Sequence, residues 1–171
     1  EQLGLGESEL AFAMAAFGSG SLIAAILVPK LTRRWGDRRV MFAGARILLA
    51  GVSLTAIMFG GLTYVFLLMI WPLLGLGYSL VQTPAGRVFK RSANEEDLPK
   101  LLAAQFALSH ACWLLAYPMA GFLPSALGMG ATLYAFAALS LVALIVAMLF
   151  WPKESYAPMT HRHDEVYHDH V

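Results

Sequence analysis

Long apolar stretches alternate with short clusters of charge along this chain. Residues 101–152 contain no Asp, Glu, Lys or Arg, and between residues 40 and 86 the only charged residue is Arg46. A helix rises about 1.5 Å per residue and the hydrocarbon core of a bilayer is about 30 Å thick, so about 20 apolar residues form one span. The pattern predicts five spans, at about residues 10–29, 40–59, 62–86, 101–123 and 127–151.

The spans are predicted to be helices rather than strands. A transmembrane strand needs about ten residues that alternate between apolar and polar, whereas residues 139–151 are apolar on every side. Gly60-Gly61, the region from Pro118 to Pro124, and Pro152 are expected to mark turns and helix ends. We therefore predict an all-α integral membrane bundle at residues 10–152, with an extracytoplasmic segment at 1–9 and a cytoplasmic tail at 153–171.

Composition supports this class and excludes others. Only 13% of the 171 residues are charged, against about 25% in soluble domains, and the mean hydropathy is +0.64. The net charge of +1 does not favour a nucleic-acid partner. Cys112 is the only cysteine, which excludes an internal disulfide. The sequence has no HExxH, no Ser-His pairing motif and no glycine-rich phosphate loop, so we expect neither an enzyme nor a bound cofactor.

The charged connections predict the orientation in the membrane. Cations in a short loop mark it as cytoplasmic, while acidic residues count for little. The loops after the second and fourth spans carry no charge, so we expect the N-terminus outside and the C-terminus inside. The cations follow the first and third spans: Lys30, Arg33, Arg34, Arg38 and Arg39, then Arg87, Lys90, Arg91 and Lys100.

Residues 29–40, PKLTRRWGDRRV, resemble the G-x-x-x-D-R-x-G-R-R loop of the major facilitator superfamily. Matched from Pro29, three positions keep that pattern and three depart from it, and a further cation follows. The kept residues are Arg34, Gly36 and Arg38; Pro29, Arg33 and Asp37 replace glycine, aspartate and arginine, and Arg39 is the added cation.

The resemblance extends to the order of the spans. A degraded copy of the loop usually joins the eighth and ninth of the family's twelve helices, which implies that this chain is the second half of a transporter. Residues 77–92 and 103–123 look like the tenth and eleventh helices, with Pro118 and Gly121 at the family's P-x-x-G. We expect one helix, the seventh, and the N-terminal half to precede this chain.

The resemblance implies a bacterial inner-membrane transporter that works by alternating access, in which a midplane site faces each side in turn. The closest likeness is to permeases of this superfamily with a histidine-rich tail, some linked with nickel or other metal efflux. We therefore expect proton-coupled export of a small solute or divalent metal cation. The alternative class is a non-transport membrane protein that anchors a metal-sensing or interaction tail.

The arginine-rich loop is the first candidate site. In the family, its cations form cytoplasmic contacts that latch one conformation. Asp37 is the candidate acidic partner, because Arg33 stands where the family has aspartate. The alternative is that the cations only set topology and contact anionic lipid. The candidate latch residues are Arg34, Gly36, Asp37, Arg38 and Arg39.

Polar residues of the third and fourth spans are candidates for a substrate path. Polar groups inside a membrane usually face protein or a water-filled cavity. His110 has two interpretations, a hydrogen-bonded packing residue or a proton carrier. No Asp or Glu lies inside any predicted span, so a carboxylate proton relay is not expected here. The candidates are Gln82, Arg87, Gln105, Ser109, His110 and Tyr117.

The C-terminal tail is the candidate metal site. Histidines and carboxylates at this density can bind nickel, zinc or cobalt. The alternative is a solvated terminus without a metal function. The histidines follow the pattern H-x-H-x4-H-x-H and are His161, His163, His168 and His170.

The orientation can be tested with single cysteines in a background that lacks Cys112. Gly61→Cys and Ser125→Cys should react with a membrane-impermeant maleimide added to intact cells, because both connections are expected outside. Ser92→Cys should react only after the membrane is permeabilised. Labelling of Ser92→Cys in intact cells would reverse the predicted orientation.

Overall fold

A computed structural model of the chain describes residues 6–94 and 96–151. These residues form five long α-helices and one short 3-10 helix, Phe59–Gly61, and contain no strand. Each long helix is apolar enough and long enough to cross a membrane, so the predicted all-α membrane bundle is confirmed. The helices are α1 Glu7–Trp35, α2 Asp37–Ile57, α3 Tyr64–Ser92, α4 Leu98–Leu127 and α5 Met129–Phe150.

The arginine-rich segment is a helix junction rather than an open loop. Helix α1 continues through Pro29 to Trp35, and α2 begins at Asp37. Gly36 alone joins them, with φ 81° and ψ 156°, a conformation essentially restricted to glycine. The latch candidates therefore flank one sharp turn, and their positions are set by two rigid helices.

The same turn occurs between α4 and α5. Gly128 has φ 82° and ψ 157°, nearly the values of Gly36. The Gly36 N–H donates to the Thr32 carbonyl at 2.9 Å, and the Gly128 N–H donates to the Pro124 carbonyl at 3.0 Å. Each glycine therefore ends one helix and starts the next, and α1–α2 and α4–α5 share the same junction geometry.

Helix α4 is longer than the proline positions indicate. It includes both Pro118 and Pro124 and ends at Leu127, so the expectation that these prolines mark a turn is wrong. A membrane helix tolerates proline because other groups can satisfy the carbonyl that loses its partner. The chain reverses only at Gly128, where the backbone φ is positive.

Helices α1 and α3 meet at backbone distance. A Cβ added at Gly20 would overlap the Pro72 carbonyl, and one added at Gly75 would overlap the Phe17 carbonyl. The Ser21 hydroxyl donates to the Gly75 carbonyl at 3.1 Å. Small residues permit this close packing where lipid supplies no hydrophobic drive for helices to associate.

The buried core lies among α1, α2 and α3. It contains Ala24 and Val28 of α1, Val40 of α2 and Leu80 of α3. Helix α2 meets α3 where a Cβ on Gly44 would lie 2.6 Å from the Gly77 carbonyl oxygen. Helix α5 packs against α2, and α4 packs mainly against α5. No residue of α4 is buried, which makes α4 the most exposed helix of the bundle.

The close contact of α1 with α3 predicts that two similar substitutions on α1 differ in their effect on stability. Gly20→Ala should lower the free energy of unfolding by roughly 1–3 kcal/mol, because the new methyl must displace α3. Gly18→Ala is the matched control on the same helix, since nothing lies within 4 Å of a Cβ there. Denaturant titration in detergent measures both variants, and equal stability would contradict the described contact.

Candidate functional site

Asp37 forms the centre of an ion-pair network at one end of the bundle. It is the first residue of α2 and is 3% exposed. Its Oδ1 accepts from Arg87 Nη2 at 2.8 Å and its Oδ2 accepts from Arg91 Nη1 at 3.1 Å. The two arginines are four residues apart on α3, so they share one helix face. Two cations of one helix therefore bind one carboxylate of another.

The burial of this network is unequal. The Asp37 side chain is 5% exposed, whereas those of Arg87 and Arg91 are 41% and 62% exposed. Charged hydrogen bonds to a buried carboxylate are stronger than surface ion pairs. Lys100 and Asp97 form such a surface pair at 2.9 Å, with both side chains largely exposed. We expect only the Asp37 network to contribute substantially to helix packing.

Arg38 connects the same junction to the last helix. Its Nη2 donates to the Trp151 carbonyl at 3.2 Å, just beyond the end of α5. Its guanidinium carbon lies 4.7 Å from the centre of the Phe42 ring, within the range of a cation–π contact. Its Nε is buried and has no hydrogen-bond partner among the described residues. Asp37 and Arg38 therefore link α2 to α3 and to α5.

A cleft of about 770 Å³ opens beside these residues. It is lined by the end of α1, by Gly36, by the start of α2 and by the end of α3. Within the part of the chain that the structure describes, Asp37 is its only acidic lining residue. We call it the arginine cleft; its arginines are Arg33, Arg34, Arg38, Arg39, Arg87 and Arg91.

The structure brings all five latch candidates to this junction and adds two residues of α3. Arg87, a candidate for the substrate path, lies in the Asp37 network and lines the arginine cleft. Arg91 was not singled out from the sequence, where it contributed only to the loop charge. Its spacing of four from Arg87 was the available signal, because that spacing places two cations on one helix face.

The polar residues of α4 form local hydrogen bonds. Gln105 Nε2 donates to Ser109 Oγ at 3.0 Å, and Ser109 Oγ donates to the Gln105 carbonyl at 2.8 Å. His110 Nδ1 lies 2.8 Å from the Phe106 carbonyl. A carbonyl can only accept, so Nδ1 carries the proton of this bond. The Nε2 atom of the exposed His110 ring is not used in this bond and can accept a hydrogen bond from another group.

Aromatic rings extend from His110 along the same face of α4. The rings of Phe106 and His110 are 3.9 Å apart, those of His110 and Trp113 are 4.9 Å apart, and those of Trp113 and Tyr117 are 6.2 Å apart. Tyr117 is 70% exposed. An exposed aromatic face of this kind on a membrane helix is available to pack against protein, lipid or a substrate.

The other candidates are not assembled with this face. Gln82 is exposed on α3, and within the part of the chain that the structure describes no hydrogen bond joins it to α4. The histidines of the tail lie outside the described residues. Among residues 6–94 and 96–151, no group of three His, Cys, Asp or Glu side chains could hold a metal ion.

The described residues contain five helices that are long and apolar enough to span a membrane. Two pairs of these helices are joined by a single glycine each, and the Asp37 and Arg38 contacts connect α2, α3 and α5 at one end. These features define a multi-pass membrane protein. The sequence profile of the Major Facilitator Superfamily matches residues 1–166. The chain therefore belongs to this superfamily, whose members are membrane transporters and not enzymes. Comparisons with curated proteins and with solved structures return no significant match.

The Asp37 network predicts that replacing aspartate by the uncharged asparagine has a much larger effect on stability at Asp37 than at Asp97. Asp37→Asn should lower the free energy of unfolding by about 1.5–3 kcal/mol, because it weakens two charged hydrogen bonds at a buried position. Asp97→Asn removes an exposed ion pair and should cost less than about 1 kcal/mol. Chemical denaturation in detergent measures both, and a similar cost for the two variants would contradict a structural role for Asp37.

Proposed function

We propose that this chain is the C-terminal half of a major facilitator transporter of the bacterial inner membrane. It moves a small solute or a divalent metal cation by alternating access, in the export direction and driven by protons. The observation that carries the assignment to one half is the repeated junction. Gly36 and Gly128 have nearly identical backbone angles, and each joins a pair of apolar helices.

The two junctions lie at opposite ends of the bundle. Arg38 brings the end of α5 to the Gly36 junction, so Gly128, at the start of α5, lies at the other end. Two similar helix pairs in opposite orientation are the pattern of inverted repeats, on which transporters of this kind are built. The pair α1–α2 then corresponds to α4–α5.

The repeated helix pair also supports the presence of a further helix that packs against α4 and α5. Helix α3 packs against both members of the first pair. Among the described residues, no third helix packs against α4 and α5 in that way, and α4 buries nothing. We infer that a helix equivalent to α3 packs on this pair in the intact protein, and that the N-terminal half covers the remaining face.

The Asp37 network supports the proposed latch. It joins α2 to α3 through hydrogen bonds of 2.8 and 3.1 Å beside the residues that match the family's loop. Because both arginines are partly exposed, water can solvate them when the helices separate. The network can therefore open without leaving a buried, unpaired cation, provided that water also reaches the Asp37 carboxylate as the helices separate.

The exposed face of α4 supports the proposed substrate path. Gln105, Ser109 and His110 place polar groups on an otherwise apolar helix, and Cys112 is exposed near them. His110 is the candidate proton carrier on this face. The tail histidines supply the reason to prefer a metal cation, which they would collect on the cytoplasmic side.

A transport assay distinguishes this proposal from a non-transport membrane protein. Everted vesicles with the full-length protein should accumulate labelled nickel, cobalt or zinc when a proton gradient is applied. A bulky maleimide on Cys112 should block most of this accumulation, because Cys112 lies on the proposed path. Vesicles with Cys112→Ser should transport and resist the reagent. Equal inhibition of both would contradict the path, and no transport of metals or other solutes would favour the alternative.

The metal preference is tested by two further measurements, growth tolerance and metal binding to a peptide. Deletion of residues 159–171 should lower growth tolerance to nickel, cobalt or zinc at unchanged protein abundance. A peptide of residues 158–171 should lose the metal as pH falls through about 6.5, because a metal binds neutral imidazole. Unchanged tolerance to all three metals would remove the reason for a metal substrate and leave a small-solute transporter.

A further inference from the structure

Positive charge in the arginine cleft exceeds what the described residues neutralise. Six arginines and one aspartate line it. Asp37 is already occupied by Arg87 and Arg91. Within the described residues, the side chains of Arg33, Arg34 and Arg39 form no ion pair. Each guanidinium carries five N–H donors and no acceptor, so the cleft presents many donors with few acceptors.

We propose that the arginine cleft binds the phosphate group of an anionic phospholipid. A guanidinium presents its N–H groups as a planar fork that matches two phosphate oxygens, which an ammonium does not. The lining arginines come from three rigid helix ends, so several forks are held around one space. The cleft volume of about 770 Å³ lies in the range of pockets that hold small ligands.

The position of the cleft favours a lipid over a soluble anion. The cleft begins at Thr32, immediately after the apolar part of α1, and Trp35 lines it with 47% of its surface exposed. Tryptophan concentrates at the level of lipid headgroups. One to two turns earlier on α1, Ile26 and Leu27 are exposed and offer an apolar surface to acyl chains. A phospholipid satisfies both surfaces, whereas free phosphate satisfies only the arginines.

This ligand differs from the transported substrate. The cleft is at the end of the bundle, whereas the proposed path follows the middle of α4. Binding therefore does not depend on transport, and it can be measured directly.

The test measures lipid binding to the intact protein in neutral detergent by native mass spectrometry. The probes are short-chain phosphatidylglycerol, short-chain phosphatidylcholine and inorganic phosphate. We expect a phosphatidylglycerol adduct that phosphatidylcholine does not form at equal concentration. Arg34→Gln with Arg39→Gln should weaken this binding about 30-fold, since each cation near a charged headgroup contributes about a factor of five.

A matched double variant separates the cleft from general surface charge. Lys30→Gln with Lys90→Gln also removes two exposed cations at this end of the bundle, but neither residue lines the cleft. It should leave phosphatidylglycerol binding within about threefold of the unaltered protein, because this variant keeps every guanidinium fork that lines the cleft. All four side chains are exposed, so both variants should keep the melting temperature, which is measured on the same samples.

Three results would overturn the proposal. An equal loss in the two double variants would assign the binding to general attraction. Equal binding of phosphatidylcholine would show that the negative charge is not recognised. Inorganic phosphate that binds as tightly as phosphatidylglycerol would show that the cleft is a site for a soluble anion. A selective loss in the arginine variant, with weak phosphate binding, would support the lipid site.

Discussion

The packing at one end of the bundle depends on the ion pairs of the Asp37 carboxylate with Arg87 and Arg91. This carboxylate is nearly buried and holds two arginines of α3, while the next residue, Arg38, reaches the end of α5. Two consecutive residues therefore connect three helices. A buried carboxylate without partners would be costly, so the Asp37 network favours the arrangement of α2 and α3 seen in this structure.

Asp37 can serve this purpose because Gly36 precedes it. With φ 81° and ψ 156°, Gly36 turns the chain within one residue, so α2 starts directly against the end of α1. The backbone geometry of Gly36 thus determines the position of the Asp37 carboxylate, and with it the position of the ion-pair network.

Sequence patterns predicted the helices well because an apolar run of sufficient length has few alternatives in a membrane. They also placed Asp37 as an acidic partner, from its position among cations. They failed at Pro118 and Pro124, where the general turn preference of proline is overridden in a membrane helix. They grouped Arg87 with the substrate path but did not show its ion pair with Asp37, because linear spacing shows which residues share a helix face but not which neighbouring helix that face meets. The backbone contact of Gly20 with Pro72 could not be predicted from the sequence either, because it depends on how two separate helices pack.

The contact between α1 and α3 also limits how this protein can move. Backbone presses on backbone at two neighbouring points, Gly20 with Pro72 and Gly75 with Phe17, so no flexible side chain is available to absorb a sliding motion. We therefore expect α1 and α3 to move together as one rigid body. Helix α4 has no such restraint, since none of its residues is buried. Within the described bundle, a displacement of α4 therefore meets less steric resistance than a sliding of α1 against α3.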